Sequence, residues 1–150
     1  MGEGDFSLYR GPTLEAYARD IARAFHRPIS EVRVEARKQV KHLLNDGMAT
    51  SGHYFLNVIE KKSGAKIGRV WFNMDKRKKR AFLYDILINR SYRGKGYGRE
   101  TMQLLEGKLK GMGISQLGLH VFAHNQVAIN LYVNEGYYMA SYNMQKDLRD

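Results

Sequence analysis

The chain has no cysteine among its 150 residues. That excludes a disulfide framework, a thiolate metal site and any mechanism passing through a cysteinyl covalent intermediate. No apolar run approaches the ~20 residues of a membrane span. Met1 to Arg10 lacks the apolar stretch of a signal peptide, so a cytoplasmic protein without membrane association is the simple expectation. There is no internal repeat, no linker and no low-complexity segment, and the length suits a single domain over residues 1–150. Proline occurs twice, at Pro12 and Pro28, and both positions read as helix punctuation.

What is present is a core-forming fraction of 43% hydrophobic residues and a net charge of +10. Five cations stand together in Lys76-Arg77-Lys78-Lys79-Arg80. A basic excess can serve nucleic acid, anionic lipid or an anionic small molecule, and does not choose among them. The run itself reads as a solvated hairpin turn in preference to a nucleic-acid contact. No aromatic pattern for base stacking accompanies it or the basic second helix (Arg33, Arg37, Lys38, Lys41).

Periodicity places the elements. Phe6 to Tyr9 is expected to be a short first strand. Pro12-Thr13 offers a helix start, and Leu14, Tyr17, Ile21 and Phe25 give that helix one apolar face. Pro28 ends it. Ser30 can cap a second helix with Val32, Ala36, Val40, Leu43 and Leu44 on its apolar face, and Gly47 suits its exit. The period then changes. Tyr54 to Ile59, Ile67 to Asn73 and Ala81 to Asn89 read as three strands of an antiparallel meander, joined by turns at Lys62-Ser63-Gly64 and at 76–80. A helix follows to about Met112, with Met102, Leu105, Leu109 and Met112 on its buried face. Leu117 to Phe122 is a further strand. Asn125 caps a short helix to Asn134, Gly136 follows it, and Tyr137 to Leu148 is the final strand region. The order implies one α/β layer structure of α+β type.

Between the third strand and the third helix lies Arg93-Gly94-Lys95-Gly96-Tyr97-Gly98, followed by Arg99. Glycines ahead of a helix N-terminus let backbone N–H groups converge on an anion, and a helix start favours negative charge. The spacing excludes other phosphate loops. A Walker A loop needs GxxxxGK and then Ser or Thr, but position 89 is Asn and Gly96 follows Lys95. The dinucleotide fingerprint is GxGxxG within repeating βαβ units, whereas this is GxGxG after a meander. The kinase catalytic and metal motifs are absent.

The spacing Arg-x-x-Gly-x-Gly, at Arg93, Gly96 and Gly98, resembles the acyl-CoA loop of the GNAT superfamily of N-acetyltransferases. A second block extends the likeness. His120-Val121-Phe122-Ala123-His124-Asn125, then Ala128, Leu131, Tyr132 and Glu135-Gly136-Tyr137, is similar to that superfamily's later strand–helix motif. The resemblance spans about residues 54–148, and the superfamily's first strand is short or missing here.

The resemblance implies a mixed, mostly antiparallel central sheet flanked by helices, with two strands splayed at a cofactor cleft and an acyl-CoA-binding core at about 81–136. It implies acetyl-CoA as donor, with the pantetheine arm along the strand edge at Leu87 and Ile88. The pyrophosphate would lie on the amides of residues 94–99, surrounded by Arg93, Lys95 and Arg99. A β-branched side chain at Gly96 would then block binding by sterics. Asn125 would touch the CoA arm. Tyr132, two helical turns later on a similar face, would be the general acid. Transfer would be direct, in a ternary complex, to a primary amine whose proton a base must take, since a lysine-like amine has a pKa of about 10.4. The oxyanion would be held by backbone N–H near Ile88.

Two residues compete for the base. Asp85 interrupts an apolar strand, on the face of Leu83 and Leu87, where burial would raise its pKa. His120 ends the adjacent strand. His124 reads as structural, and the His120/His124 pair lacks the HExxH form and a third ligand, so no metal is expected. The acceptor is a small-molecule or peptide amine, set by the first two helices and by residues 45–53 and 137–143. The chain would be a monomer or homodimer. Other readings are a non-catalytic acyl-CoA-binding module and a basic nucleic-acid-associated protein.

Overall fold

A computed structural model describes residues 1–149. Two helices, α1 (Glu3–Phe25) and α2 (Ile29–Leu43), precede the strands β1 (His53–Ile59), β2 (Lys66–Asp75) and β3 (Arg80–Ile88). Then come α3 (Tyr97–Gly111), β4 (Gln116–Leu119) and α4 (Gln126–Asn134). The four strands form one sheet in the order β1-β2-β3-β4. The first two pairings are antiparallel and the last is parallel. The fold is thus α+β, with a mixed, mostly antiparallel sheet between helices. No helix among the described residues is long and apolar enough to cross a membrane.

Alternation of side chains across the strands gives the sheet two apolar faces. Val70, Phe72 and Met74 of β2 and Ala81 and Leu83 of β3 pack against Met102, Leu105 and Leu109 of α3. Met102 is 0% exposed, at the centre of this layer. On the other face, Trp71 and Phe55 meet Phe6 and Tyr9 of α1 and Leu44 beyond α2. Ala18 of α1 against Val32 and Ala36 of α2 forms a third cluster, whose small side chains let the helices approach.

Three expectations about the elements are corrected. Residues 6–9 are helix, not strand. Phe6 and Tyr9, three apart, both face the sheet, while Leu8 is 79% exposed. The helix runs through Pro12 instead of starting there. Second, Pro28 and not Ser30 occupies the N-cap of α2, so Ser30 falls in the first turn. Third, residues 137–149 form no strand. They run back to the end of α1, where Asp147 and His26 are 2.7 Å apart and Gln145 donates to the Phe25 carbonyl.

Smaller differences concern element ends. β4 stops at Leu119, leaving His120 to Phe122 outside the sheet. Met112 is the cap of α3 and 42% exposed, so it leaves the buried face. Gly47 opens a short 3₁₀ turn after α2 has already ended at Leu43.

Candidate functional site

The parallel pair β3–β4 is short. Its register runs from Arg80↔Gln116 to Leu83↔Leu119 and stops, while β3 continues to Ile88. From Tyr84 onward the β3 edge on that side has no strand partner among the described residues. Parallel strands that part in this way leave backbone donors and acceptors facing a gap. The far end of β3 is held firmly on its other side. A Cβ added to Gly68 of β2 would lie 2.3 Å from the Leu87 carbonyl oxygen, so only glycine allows that approach.

The glycine loop lies at the end of β3. Gly94 and Gly96 have φ of 75° and 84°, in the left-handed region that favours glycine. Gly96 is the N-cap of α3 and, having no side chain, leaves the first-turn amides uncapped. Of the surrounding charges, two are engaged by the protein. Arg93 Nε donates to the Ile88 carbonyl at 2.7 Å, tying the loop to the strand. Arg99 pairs with Glu135 at the end of α4 at 3.1 Å. Lys95 lies 5.8 Å from the Tyr92 ring centroid. The Tyr97 hydroxyl donates to Glu60 in the β1–β2 turn, anchoring the helix start.

Opening between the parted strands is a cleft of about 400 Å³. Asp85, Leu87, His120, Asn125 and Tyr132 all line it, from β3, α4 and the segment between β4 and α4. The fold thus brings the three catalytic candidates into one space. Asn125 caps α4 through its Oδ1, which accepts from the Ala128 N–H at 3.2 Å and leaves its amide nitrogen to donate elsewhere. Tyr132 is half-buried and near Asp85, and both effects raise its hydroxyl pKa. That keeps the proton on the oxygen until a strong acceptor arrives. His120 is exposed and meets Phe122 edge to face at 4.7 Å. His124 Nε2 lies 2.8 Å from Asp20 and joins this segment to α1.

Asp85 has a richer setting than a lone carboxylate in an apolar strand. The β2–β3 register passes from Phe72↔Leu83 to Trp71↔Asp85, leaving Tyr84 without a partner. This bulge breaks the alternation. Asp85 therefore shares a face with Leu87 and Trp71 but not with Leu83, which corrects the expectation. On that face the Tyr9 hydroxyl donates to Asp85 Oδ2 at 2.9 Å, and Arg69 Nε reaches the same oxygen at 3.4 Å. The Arg69 guanidinium also lies 4.6 Å from the Tyr9 ring centroid. Burial raises the Asp85 pKa, and the Tyr9 hydrogen bond and the Arg69 charge work against that rise. Tyr9 and Arg69 escaped the sequence reading. The i, i+3 spacing of Phe6 and Tyr9 was the available signal for Tyr9.

A mixed sheet parted between parallel strands, with a glycine loop and a helix N-terminus at the parting, defines an acyl-transfer fold. Residues 15–137 match the Acetyltransferase (GNAT) family, and the chain belongs to that family as an N-acetyltransferase. Two Bacillus subtilis (strain 168) proteins resemble it along nearly its whole length. The uncharacterized N-acetyltransferase YdgE is 30% identical, covering 99% of this chain and 95% of its own. The uncharacterized N-acetyltransferase YycN is 31% identical, covering 99% of this chain and 96% of its own. The crystal structure of YycN superposes with a TM-score of 0.92 at 29% identity, over 100% of this chain and 96% of that one.

Proposed function

We propose that this N-acetyltransferase uses acetyl-CoA to acetylate a primary amine by direct attack within a ternary complex. The observation that carries the reading is the parting of β3 from β4 beside an uncapped, glycine-initiated α3, with Tyr132, Asp85 and His120 around the same cleft. The residues fit the donor. Its pantetheine arm suits the unpaired β3 edge at Leu87 and Ile88, and its pyrophosphate suits the amides of residues 94–99 with Lys95 nearby. Arg93 and Arg99 serve this site by holding the loop in shape. When bound, acetyl-CoA supplies an activated thioester carbonyl.

The chain's own groups supply the proton transfers. Asp85 or His120 takes the proton from the attacking amine. The Tyr132 hydroxyl returns one to the departing sulfur. Backbone N–H at the end of β3 holds the oxyanion. The acyl-CoA core at about 81–136 is the part of the single domain that carries this work.

Acetyl-CoA is expected to raise the melting temperature by binding the native state. Thiol release with an amine panel tests the reaction, and no shift together with no release at millimolar donor would sink the reading. Tyr132→Phe is expected to lower kcat by roughly 10²–10⁴ with little change in donor affinity. An unchanged kcat would remove Tyr132 from the role of acid. The pH profiles of Asp85→Asn and His120→Gln separate the two bases, because only loss of the true base removes the acidic limb.

A further inference from the structure

The two candidate bases differ in how they are held. His120 is exposed, and among the described residues no hydrogen bond orients its ring, which meets Phe122 edge to face. Asp85 is gripped from two other elements. Tyr9 reaches it from α1 and Arg69 from β2, and both donate to the same oxygen, Oδ2. The two donors also brace each other, because the Arg69 guanidinium lies over the Tyr9 ring. Arg69 and Trp71 are two apart on β2 and share a face, and the bulge at Tyr84 puts Asp85 opposite Trp71 on that face.

The grip leaves one oxygen free. Oδ1 has no hydrogen-bond partner among the described residues. It is not sealed either, since the unpartnered side-chain oxygens shut off from solvent there are Thr13 Oγ1 and Glu106 Oε1. Oδ1 is therefore open, and the cleft is what Asp85 lines. Tyr9 is a dependable donor, because burial and the Asp85 charge push its hydroxyl pKa up. Arg69 is charged at every working pH. The other titratable and charged groups around Asp85 come from several elements. Tyr132 of α4 feels its charge, and Arg10, Tyr17 and Asp20 of α1 and His120 stand on the same cleft wall. Asp20 is paired with His124, and Tyr84 of β3 is stacked on Trp71. From α2 come Gln39, Val40 and Leu43, none of them charged.

Resting on the acetyltransferase reading above, we propose that Tyr9 and Arg69 are positioning residues: they clamp Asp85 by Oδ2 and present Oδ1 to the amine nitrogen, which makes Asp85 the base of the two candidates. A base oriented by further groups is better placed for proton transfer than one left to turn freely. The proton count closes within the cleft. Oδ1 takes the proton that the nitrogen sheds on bonding to the acyl carbon. Tyr132 gives its own to the sulfur as the carbon–sulfur bond breaks, and regains one from the Asp85 carboxyl.

Carbon-13 NMR of the Asp85 carboxyl in the full chain, with its signal identified by Asp85→Asn, tests the clamp without any ligand. Tyr9→Phe keeps the ring under Arg69 and removes only the hydroxyl. Both Tyr9→Phe and Arg69→Met are expected to move the Asp85 titration to higher pH, because each removes a group that favours the ionised form. Arg69→Lys keeps the charge and is expected to recover most of the Arg69→Met shift. Thiol release from acetyl-CoA with lysine, spermidine, kanamycin and benzylamine supplies the second readout. Tyr9→Phe is expected to lower kcat roughly tenfold to a hundredfold, to move the acidic limb to higher pH and to leave the acetyl-CoA KM as it was. In an Asp85→Asn chain the same substitution is expected to cost nothing further, since no carboxylate is left to position. An Asp85 titration unmoved in a folded Tyr9→Phe chain would overturn the clamp and leave the acetyltransferase reading standing. So would a Tyr9→Phe loss that persists in full beside Asp85→Asn, or an acidic limb that Asp85→Asn leaves in place. Failure of every amine to release thiol would overturn the reading beneath, and the proposal with it.

Discussion

Asp85 sits among aromatic side chains, and burial holds its carboxyl above the ordinary carboxylate range. A raised folded-state pKa has a definite sign. The stability tied to this group is fully present below the unfolded value of about 3.9 and is lost as pH rises through the folded value. The Tyr9 hydroxyl limits that loss by donating to the ionised form. Tyr9→Phe is therefore expected to cost about 1.5–3 kcal/mol at a pH where Asp85 is ionised, and much less at a pH low enough to protonate it. Urea unfolding at both pH values checks this, and an equal cost at both would mean that Tyr9 acts by packing alone. The glycine loop gives a second case at this scale. A Cβ at Gly96 meets nothing within 4 Å, so the protein itself leaves room for a side chain. The obstacle is φ of 84°, which a β-branched residue adopts only under strain. Gly96→Val is expected to lower stability by about 1–3 kcal/mol. Its loss of acetyl-CoA affinity should exceed that cost, because the new methyl groups stand where phosphate oxygens approach. Melting and calorimetry on the same sample separate the two effects, and unaltered donor affinity would remove residues 94–99 from the phosphate site.

Among the elements, α1 departs most from expectation, and Pro12 is the reason. An interior proline removes one helix hydrogen bond and crowds the carbonyl four residues earlier, so it normally marks a helix start. Here α1 continues across it because Phe6 and Tyr9 are anchored on the sheet by Phe55 and Trp71. Tertiary packing outweighs a local cost of about 3 kcal/mol. Pro12→Ala restores the N–H but loosens the unfolded chain, and the expected net gain is about 1–2 kcal/mol. A gain in melting temperature supports this balance, while a loss would show that the proline shapes the helix for Tyr9. The β1–β2–β3 meander was readable because strand period and turn residues agree at each step. The cap of α4 at Asn125 was readable for the same local reason. The bulge at Tyr84 was not, since alternation alone predicts an unbroken strand and so puts Asp85 on Leu83's face. Residues 137–148 alternate like a strand, yet they are drawn to the end of α1, a long-range contact that no local pattern encodes. Asp85, His120 and Tyr132 could be named from the sequence, but their convergence depends on where β3 and β4 part.

Across the whole molecule, the net charge of +10 is unevenly placed with respect to the cleft. The exposed basic turn at 76–79 precedes β3, and the glycine loop follows it. The nine-residue strand separates them by roughly 25–30 Å at about 3.3 Å per residue. The Debye length is about 8 Å at physiological salt and about 30 Å at 0.01 M. The turn should therefore be almost invisible to an anionic donor under physiological conditions and felt only when salt is low. Lys95, within the loop, should be felt in both. Replacing Lys76, Arg77, Lys78 and Lys79 together with glutamine is expected to leave the acetyl-CoA Kd unchanged at 0.15 M salt and to weaken binding several-fold at 0.01 M. Lys95→Gln is expected to weaken binding at both, because a charge close to the pyrophosphate is screened least. Titration of the two variants across salt concentration decides the matter. A weakened Kd for the quadruple variant at 0.15 M would mean that the donor's anionic end reaches the basic turn, and the glycine loop would then have to yield its place as the pyrophosphate seat.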